Sequence, residues 1–148
     1  MLRLNLSTDY ALRTRLFLAS QPDRQVSTRE VVEFYGISAD HVSKVVQQLV
    51  HGGFVRAGRG RGGGLKLARS ASEISVGAVV ELFEGPVSLL ECVSTEGVCV
   101  IQPGCRLRRV LDEAGARLVE TLKAVTLAEL VGPARSSLIQ LEASPLDR

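Results

Sequence analysis

Residues 27–51 decide the fold and read Ser27-Thr-Arg-Glu-Val-Val-Glu-Phe-Tyr-Gly-Ile-Ser-Ala-Asp-His-Val-Ser-Lys-Val-Val-Gln-Gln-Leu-Val-His51. The serine at position 27 and the glutamate at position 30 form a capping box, which predicts a helix from Ser27 to about Tyr35. Gly36 ends that helix, and Ser38 caps a further helix that reaches about His51. Two short helices joined by a glycine-containing turn have the form of a helix-turn-helix.

The second of these helices has an apolar face and a polar face. Val42, Val45, Val46, Leu49 and Val50 recur at i, i+3, i+4, i+7 and i+8, which predicts a stripe packed against a core. The opposite face carries hydrogen-bonding side chains, which are suited to reading base edges in a DNA groove. Any small helical hairpin would also show two such faces. The candidate groove residues on this helix are Ser38, His41, Ser43 and Lys44.

A glycine-rich hairpin follows the two helices. Phe54–Ala57 and Leu65–Ala68 are short strand-like runs, and Gly58-Arg-Gly-Arg-Gly-Gly-Gly64 joins them. This pattern predicts a wing beside the recognition helix. Arginines on a glycine tip are free to enter a minor groove or to grip phosphates. The candidate residues for those contacts are Arg56, Arg59 and Arg61.

The charge distribution favours the same function. The chain has 148 residues and a net charge of +2, but residues 1–69 carry 11 Lys/Arg against 5 Asp/Glu, and residues 70–148 carry 7 against 11. A basic N-terminal half indicates a nucleic-acid-binding face. No apolar run is long enough for a membrane helix, and no signal peptide is visible. We therefore expect a cytoplasmic protein without membrane contact, whose thiols stay reduced.

Three further helices complete the predicted fold. The first covers Ser7–Ser20, with Ser7 or Thr8 as its cap, and the fourth covers Ile74–Glu84, with Ser75 as its cap. Tyr10, Leu12, Leu16, Phe17 and Ala19 form the expected apolar face of the first helix. The longest helix runs from Arg106 to about Val125, and its apolar stripe begins at Leu107. A partner subunit is the simplest cover for that stripe, since a dimer matches paired DNA half-sites. Packing on its own domain is the alternative.

All three cysteines, Cys92, Cys99 and Cys105, lie within 14 residues. Gly97 and Pro103 mark this segment as a loop, in which the thiols are able to converge. Cys105 opens the long helix, whose positive N-terminus favours a thiolate. Three convergent thiolates suit a soft metal centre. A disulfide with a spare thiol, or three small apolar core residues, are the alternatives.

Asp9 lies in the first turn of the first helix, four residues before Arg13. By residue type it is most simply a carboxylate that the helix dipole favours and that Arg13 pairs with. Nothing in its spacing alone assigns it to a metal.

The chain resembles the winged-helix iron–sulfur repressors. The resemblance covers roughly residues 2–131. Within that family, the run Cys99–Ala114 is most similar to the nitric-oxide-sensing, NsrR-type branch. The cluster-assembly branch has a histidine ligand three residues after its last cysteine, and here that position is Arg108. Besides the cysteine loop, the segments that carry the resemblance are Leu6–Arg13, Gly36–Ser38, Gly53–Val55, Arg61–Ala68 and Ile74–Gly77.

The resemblance implies a homodimeric repressor that binds double-stranded operator DNA. It implies a [4Fe–4S] cluster, with [2Fe–2S] as the alternative, held by Cys92, Cys99 and Cys105. The fourth ligand would be Asp9 from the other subunit, in place of its simpler role as the partner of Arg13. Nitric oxide would attack the cluster iron and release the operator.

We therefore expect a mostly α-helical chain: a winged helix-turn-helix with a long C-terminal dimerisation helix and a cysteine-rich cluster loop. The predicted segments are a DNA-binding domain at 1–86, the cluster loop at 87–105, the dimerisation helix at 106–131 and a loose tail at 132–148. The alternatives are a sensor of cluster supply or redox state, a metal-free thiol switch and an electron carrier. An enzyme is not expected, because neither His41 nor His51 has an evident catalytic partner.

Overall fold

The computed structural model of the protein describes residues 3–58, 60 and 63–132. Arg59, Arg61 and residues 133–148 of the predicted tail lie outside the described residues. α-Helices and a two-stranded sheet follow one another along the described chain. They are α1 (Leu6–Ser20), α2 (Thr28–Tyr35), α3 (Ala39–His51), β1 (Val55–Ala57), β2 (Leu65–Leu67), α4 (Val76–Glu84), α5 (Glu91–Ser94) and α6 (Arg106–Ala124).

The helix-turn-helix forms as its caps predict. The Ser27 hydroxyl accepts from the Glu30 N–H at 3.2 Å, and the Glu30 carboxylate accepts in return from the Ser27 N–H at 2.7 Å. Gly36 ends α2 in the left-handed region, at φ 61°, where a residue without a Cβ is favoured. Ser38 then caps α3. Both helix predictions are confirmed, and the fold is a winged helix-turn-helix.

The wing is a short antiparallel hairpin. Val55 pairs with Leu67, and Ala57 pairs with Leu65. An isolated bridge adds Val26 beside Leu65, with N–O distances of 3.0 and 2.7 Å in the two directions. This bridge fixes the loop before α2 against the wing. A single residue pairing in a loop leaves no alternating pattern in the sequence, so this bridge was not predicted.

Helix α1 differs from its prediction in two respects. Its cap is Asn5, not Ser7 or Thr8, because the Asn5 side chain accepts from the Thr8 N–H at 2.8 Å. The buried face also includes Arg15, whose side chain is fully buried with its guanidinium carbon 4.5 Å from the centre of the Phe54 ring. The predicted Leu12 and Leu16 are only partly buried.

One hydrophobic core joins the helix-turn-helix to the wing and α4. Its buried members include Phe17 from α1, Val42 and Leu49 from α3, Val55 from β1 and Val79 from α4. The predicted stripe of α3 is confirmed for its first four positions, since only Val50 remains exposed. This core holds the exposed face of α3 rigidly beside the wing.

The C-terminal end of α6 is tied to the rest of the chain. Near its C-terminal end, a Cβ on Gly77 would come within 2.7 Å of the Lys123 nitrogen, so α4 and α6 approach closely here. Beyond α6 an isolated bridge pairs Ser75 with Thr126, and Leu127 is completely buried. The helical turn at residues 127–132 therefore belongs to the core of the head.

None of the described helices is long and apolar enough to cross a membrane. The four-segment division of the chain stays a prediction.

Candidate nucleic-acid interface and cysteine loop

The exposed face of α3 is set by the stripe that it buries. Each residue turns the helix by about 100°, so residues spaced by four, three and four positions share one face of the helix. Here that face lies opposite the buried stripe. This places Asp40, Lys44, Gln47 and His51 along the middle of the exposed face. Ser43 is exposed at one side of it. Lys44 and Ser43 were predicted from the sequence but Asp40 was not, although the position of the apolar stripe alone would have identified it.

Two other predicted groove residues have partners within the domain. The Ser38 hydroxyl caps α3 and accepts from the His41 N–H at 3.5 Å. The His41 ring lies edge-on to Tyr10 of α1, with 6.0 Å between the ring centres. Both residues are exposed and lie at the N-terminal end of α3, the end that reaches base edges in helix-turn-helix proteins. The contact of the His41 ring with Tyr10 joins that end of the helix to α1.

A cleft of about 410 Å³ separates α3 from the wing. One wall of the cleft is formed by side chains at the start of α2 and on α3, namely Ser27, Thr28, Ser43 and Gln47. The wing glycines line the other wall. Hydroxyl and amide groups at a helix start are suited to phosphate oxygens. Arg56 is exposed on β1, next to Ala57, which lines the cleft. Arg59 and Arg61, the other two wing arginines predicted to contact DNA, lie outside the described residues.

The three cysteines are free thiols on the segment between α4 and α6. Cys92 lies on the single turn of α5, Cys99 is exposed, and Cys105 is the N-cap of α6. The Cys105 sulfur accepts from the Arg108 N–H at 3.5 Å. The expected opening of the long helix at Cys105 is therefore confirmed. The single turn of α5 and the 3-10 turn at Gln102–Gly104 were not predicted, since both are too short to show a period.

Gln102 organises the cysteine loop from within. Its side chain is 7% exposed. The amide nitrogen donates to the carbonyls of Cys92 at 2.7 Å and Thr95 at 2.6 Å, and the amide oxygen accepts from the Gly97 N–H at 2.7 Å. The segment between the first two cysteines is thus wrapped around one amide group. A glutamine inside a polar loop gives no signal in the sequence, and its role was missed.

Arg108 lies between the cysteine loop and α6. Its guanidinium donates to the Val93 carbonyl at 3.4 Å and lies 4.0 Å from the Glu96 carboxylate. It also lines an open cleft of about 550 Å³, which Cys105 and Pro103 border. Arg108 therefore links α6 to the loop and places a positive charge beside Cys105. An arginine is cationic and offers no lone pair, so it is not a metal ligand.

The donor set of the loop fits an iron–sulfur cluster in its chemistry but is not gathered in one chain. Thiolates are the usual ligands of iron–sulfur clusters. Among the described residues of a single chain, no three His, Cys, Asp or Glu side chains come together as a metal-holding group. Ligation by Cys92, Cys99 and Cys105 therefore requires the loop to close further, and it requires a ligand from elsewhere.

Asp9 is at the surface, paired with Arg13. The distance from the Arg13 Nε to the Asp9 Oδ1 is 2.8 Å, and more than 40% of each side chain is exposed. The hydrogen bond to Asp9 raises the pKa of Arg13. This is the pairing that the i,i+4 spacing predicts, and the carboxylate keeps a second oxygen for other partners.

The start of α1 is clamped to the end of α4. The Glu84 carboxylate accepts from the Asn5 N–H at 2.8 Å and from the Thr8 hydroxyl. The Asn5 amide donates in turn to the Phe83 carbonyl at 3.2 Å. Glu84 ends α4, which leads into the cysteine loop. The turn that carries Asp9 is therefore positioned by the same helix that precedes the cysteines.

The chain matches known proteins over nearly its whole length. The family model described as "Rrf2: Iron-dependent Transcriptional regulator" matches residues 4–133. The structure of CymR (YrzC), the global cysteine regulator of B. subtilis, is similar at a TM-score of 0.74 with 22% identity, and the match covers 89% of this chain and 98% of that one. IscR of T. potens is similar at a TM-score of 0.75 with 23% identity, covering 92% and 90%. CymR of Staphylococcus aureus is similar at a TM-score of 0.67 with 25% identity, covering 86% and 96%.

Three observations agree on the class of this protein. The helix-turn-helix and wing give it the fold of a DNA-binding regulator, and the polar side chains on its exposed α3 face give it a surface suited to DNA. The family match extends through α6, beyond the winged helix itself. The chain belongs to the Rrf2 family of DNA-binding transcriptional regulators.

Proposed function

We propose that this protein is a homodimeric, cytoplasmic transcriptional repressor whose [4Fe–4S] cluster senses nitric oxide and so controls its hold on operator DNA. Cys92, Cys99 and Cys105 would hold the cluster, with Asp9 of the partner subunit as the fourth ligand. The observation that carries the proposal is the position of the three free thiols. They occupy the one segment that joins the DNA-binding head to α6.

The DNA contact follows from the two exposed surfaces of the winged helix. The α3 face, with Asp40, Lys44 and Ser43, is suited to the major groove, where base edges carry sequence information. Arg56, Arg59 and Arg61 are suited to phosphates or the minor groove beside it. Their positive charge supplies affinity, and the α3 face supplies discrimination.

The dimer follows from the uncovered part of α6. Leu107 is 60% exposed and Val110 is 58% exposed, although both lie on the apolar stripe of an amphipathic helix. The same helix is fixed to its own head at its C-terminal end through Lys123, which pairs with Glu81 at 2.6 Å. The N-terminal half of α6 is therefore available to a second copy while the helix stays attached to its own DNA-binding head.

The coupling between the loop and DNA rests on two sets of contacts. Gln102 and Arg108 bind the loop to itself and to α6, and Glu84 binds the start of α1 to the end of α4. When bound, the cluster supplies iron that nitric oxide can attack. Ligation by Asp9 across the dimer would hold the two heads at one spacing. Loss of that ligation would let the distance between the two DNA-binding heads change, and the heads would no longer match the spacing of paired half-sites.

The test is the composition of protein purified without oxygen. We expect brown protein that contains iron and acid-labile sulfide, with an absorption spectrum that nitric oxide changes. Cys99→Ala should lose the colour, whereas Ser94→Ala, a substitution in the same segment that removes no thiol, should retain it. Colourless wild-type protein with stoichiometric zinc would refute the cluster and indicate a structural metal.

A second candidate function is a metal-free thiol switch. It is favoured by the exposure of Cys99 and by the free state of all three cysteines. In this case two thiols would be oxidised to a disulfide, and an oxidant would accept the two electrons and two protons. The same preparation distinguishes the two candidates, because a thiol switch would contain no iron and would lose two titratable thiols after mild oxidation.

A further inference from the structure

We propose that Asp40 is a specificity-determining residue of α3, and that its carboxylate accepts a hydrogen bond from the amino group of a cytosine in the major groove. The inference rests on the proposed function, in which α3 binds operator DNA. It adds a preference for one base to that function. Neither the capping pattern nor the arginine wing pointed to this residue.

The position of Asp40 follows from the burial of α3. The stripe of Val42, Val45, Val46 and Leu49 faces the core. At about 100° a residue, Asp40 lies about 170° around the helix from the centre of that stripe. No residue of α3 lies closer to the middle of the exposed face.

Asp40 is also at the end of α3 that reaches the bases. It is the second residue of the helix, directly after the cap and Ala39. In helix-turn-helix proteins the N-terminal residues of the recognition helix contact base edges. Its side chain is exposed, and no hydrogen bond or ion pair occupies the carboxylate among the residues that the structure describes. Lys44 lies one turn further along the same face.

The chemistry of a carboxylate restricts its partners. An ionised aspartate accepts hydrogen bonds and donates none, and phosphates repel it, so the DNA backbone is not a favourable partner. In the major groove only the amino groups of cytosine and adenine donate hydrogen bonds. Adenine presents its N7 acceptor beside the amino group, and that lone pair opposes a carboxylate. Cytosine presents no such acceptor, so it is the preferred base.

Lys44 complements this choice. A lysine donates to the O6 and N7 acceptors of guanine. With Asp40 one turn away, the two side chains together favour a cytosine and a guanine at neighbouring positions of each half-site. The carboxylate also disfavours non-specific binding, because it adds one negative charge to a face otherwise suited to DNA.

The alternative role of Asp40 is stabilisation of α3. A carboxylate in the first turn interacts favourably with the helix dipole. Asp40→Asn separates the two roles, because asparagine keeps the shape and tolerates the first turn but both donates and accepts. An asparagine is suited to the N6 and N7 of adenine. The variant should therefore change the base that is chosen, which a purely structural role would not do.

The experiment is selection from a library of random DNA duplexes by the anaerobically purified protein. Wild type, Asp40→Asn and Glu120→Gln are compared, and the last is a control that makes the same charge change on α6, away from the winged helix. We expect wild type and Glu120→Gln to select the same motif with a cytosine in each half-site. Asp40→Asn should select adenine there, and its preference for cytosine should fall about tenfold or more in direct binding assays.

Two results would overturn the inference. If Asp40→Asn selects the wild-type motif with the same preference at every position, the carboxylate does not read a base. If Asp40→Asn loses binding to all sequences equally together with a lower Tm, the residue serves only the stability of α3. A wild-type protein that selects no motif would instead refute operator binding by this face, and the inference with it.

Discussion

Replacement of Arg15 by leucine should make this protein more stable. The Arg15 side chain is fully buried in α1, and none of its three guanidinium nitrogens has a hydrogen-bond partner in the part of the chain that the structure describes. The only compensation among the described residues is the face of the Phe54 ring at 4.5 Å. A buried charge without a hydrogen-bonded partner is costly, and apolar replacement of such a group is often stabilising.

The structure sets the size of this effect. Burial lowers the pKa of Arg15 from its ordinary value to about 9. At neutral pH this shift corresponds to a free-energy cost of about 5 kcal/mol for keeping the buried guanidinium charged. The contact with the Phe54 ring recovers about 2 kcal/mol. The net penalty is about 3 kcal/mol, within the range measured when buried ionic groups are replaced by apolar ones. We expect Arg15→Leu to raise the free energy of unfolding by about that amount.

The assay is urea unfolding at pH 7 and a fixed protein concentration, because the stability of the proposed dimer would depend on concentration. Arg29→Leu is the matched control, since the Arg29 side chain is 85% exposed and pairs with Glu33 on the surface. That control should change the free energy of unfolding by no more than about 0.5 kcal/mol. If Arg15→Leu is equally or less stable than wild type, the guanidinium has a stabilising partner and the reasoning is wrong.

The pH dependence provides a second measurement on the same pair of proteins. Because burial lowers the pKa of Arg15 in the folded state, the unfolded chain holds this proton more tightly, and the penalty is fully present below about pH 9. Above that pH the folded guanidinium begins to lose its proton, and the penalty decreases. The stability advantage of Arg15→Leu should therefore be smaller at pH 10 than at pH 7. Other titrating groups cancel in the difference between the two proteins.

Three further predictions concern the loop, the wing and the fourth ligand. Gln102→Ala removes three hydrogen bonds of about 1 kcal/mol each, so the hydrogen of the Gly97 amide should exchange with solvent at least tenfold faster. An unchanged exchange rate would show that the loop holds its shape without Gln102. Arg61→Ala should weaken DNA binding similarly across sequences. The slope of the logarithm of the binding constant against the logarithm of salt concentration should become shallower by about one unit, for one lost phosphate contact. Lys44→Ala should instead change the preferred sequence, and the reverse pattern would exchange the roles of the two residues. Asp9→Ala should fold and dimerise but hold a less stable cluster, and a dimer of one Asp9→Ala chain with one chain lacking all three cysteines should keep one cluster; its absence would contradict ligation across the dimer.

The elements of the helix-turn-helix could be predicted because their signals are local. The Ser27 cap, the Gly36 turn and the Ser38 cap each depend on side chains within a few residues, so the sequence carries the whole interaction. The stripe that begins at Val42 likewise records which face of α3 is buried. Arg15 could not be predicted in the same way. A charged residue interrupts the apolar pattern, and only packing against Phe54 and its neighbours shows that it lies inside.

The sequence by itself determined the class of this protein: caps, turn, glycine wing and clustered cysteines together specify a winged-helix regulator with a thiol-rich loop. Tertiary structure alone decided how the cysteine loop is held. Gln102 joins three backbone groups because the loop folds around it. The clamp from Glu84 to Asn5 spans nearly 80 residues. Contacts between residues so far apart depend on how the helices pack, and no local pattern in the sequence encodes them.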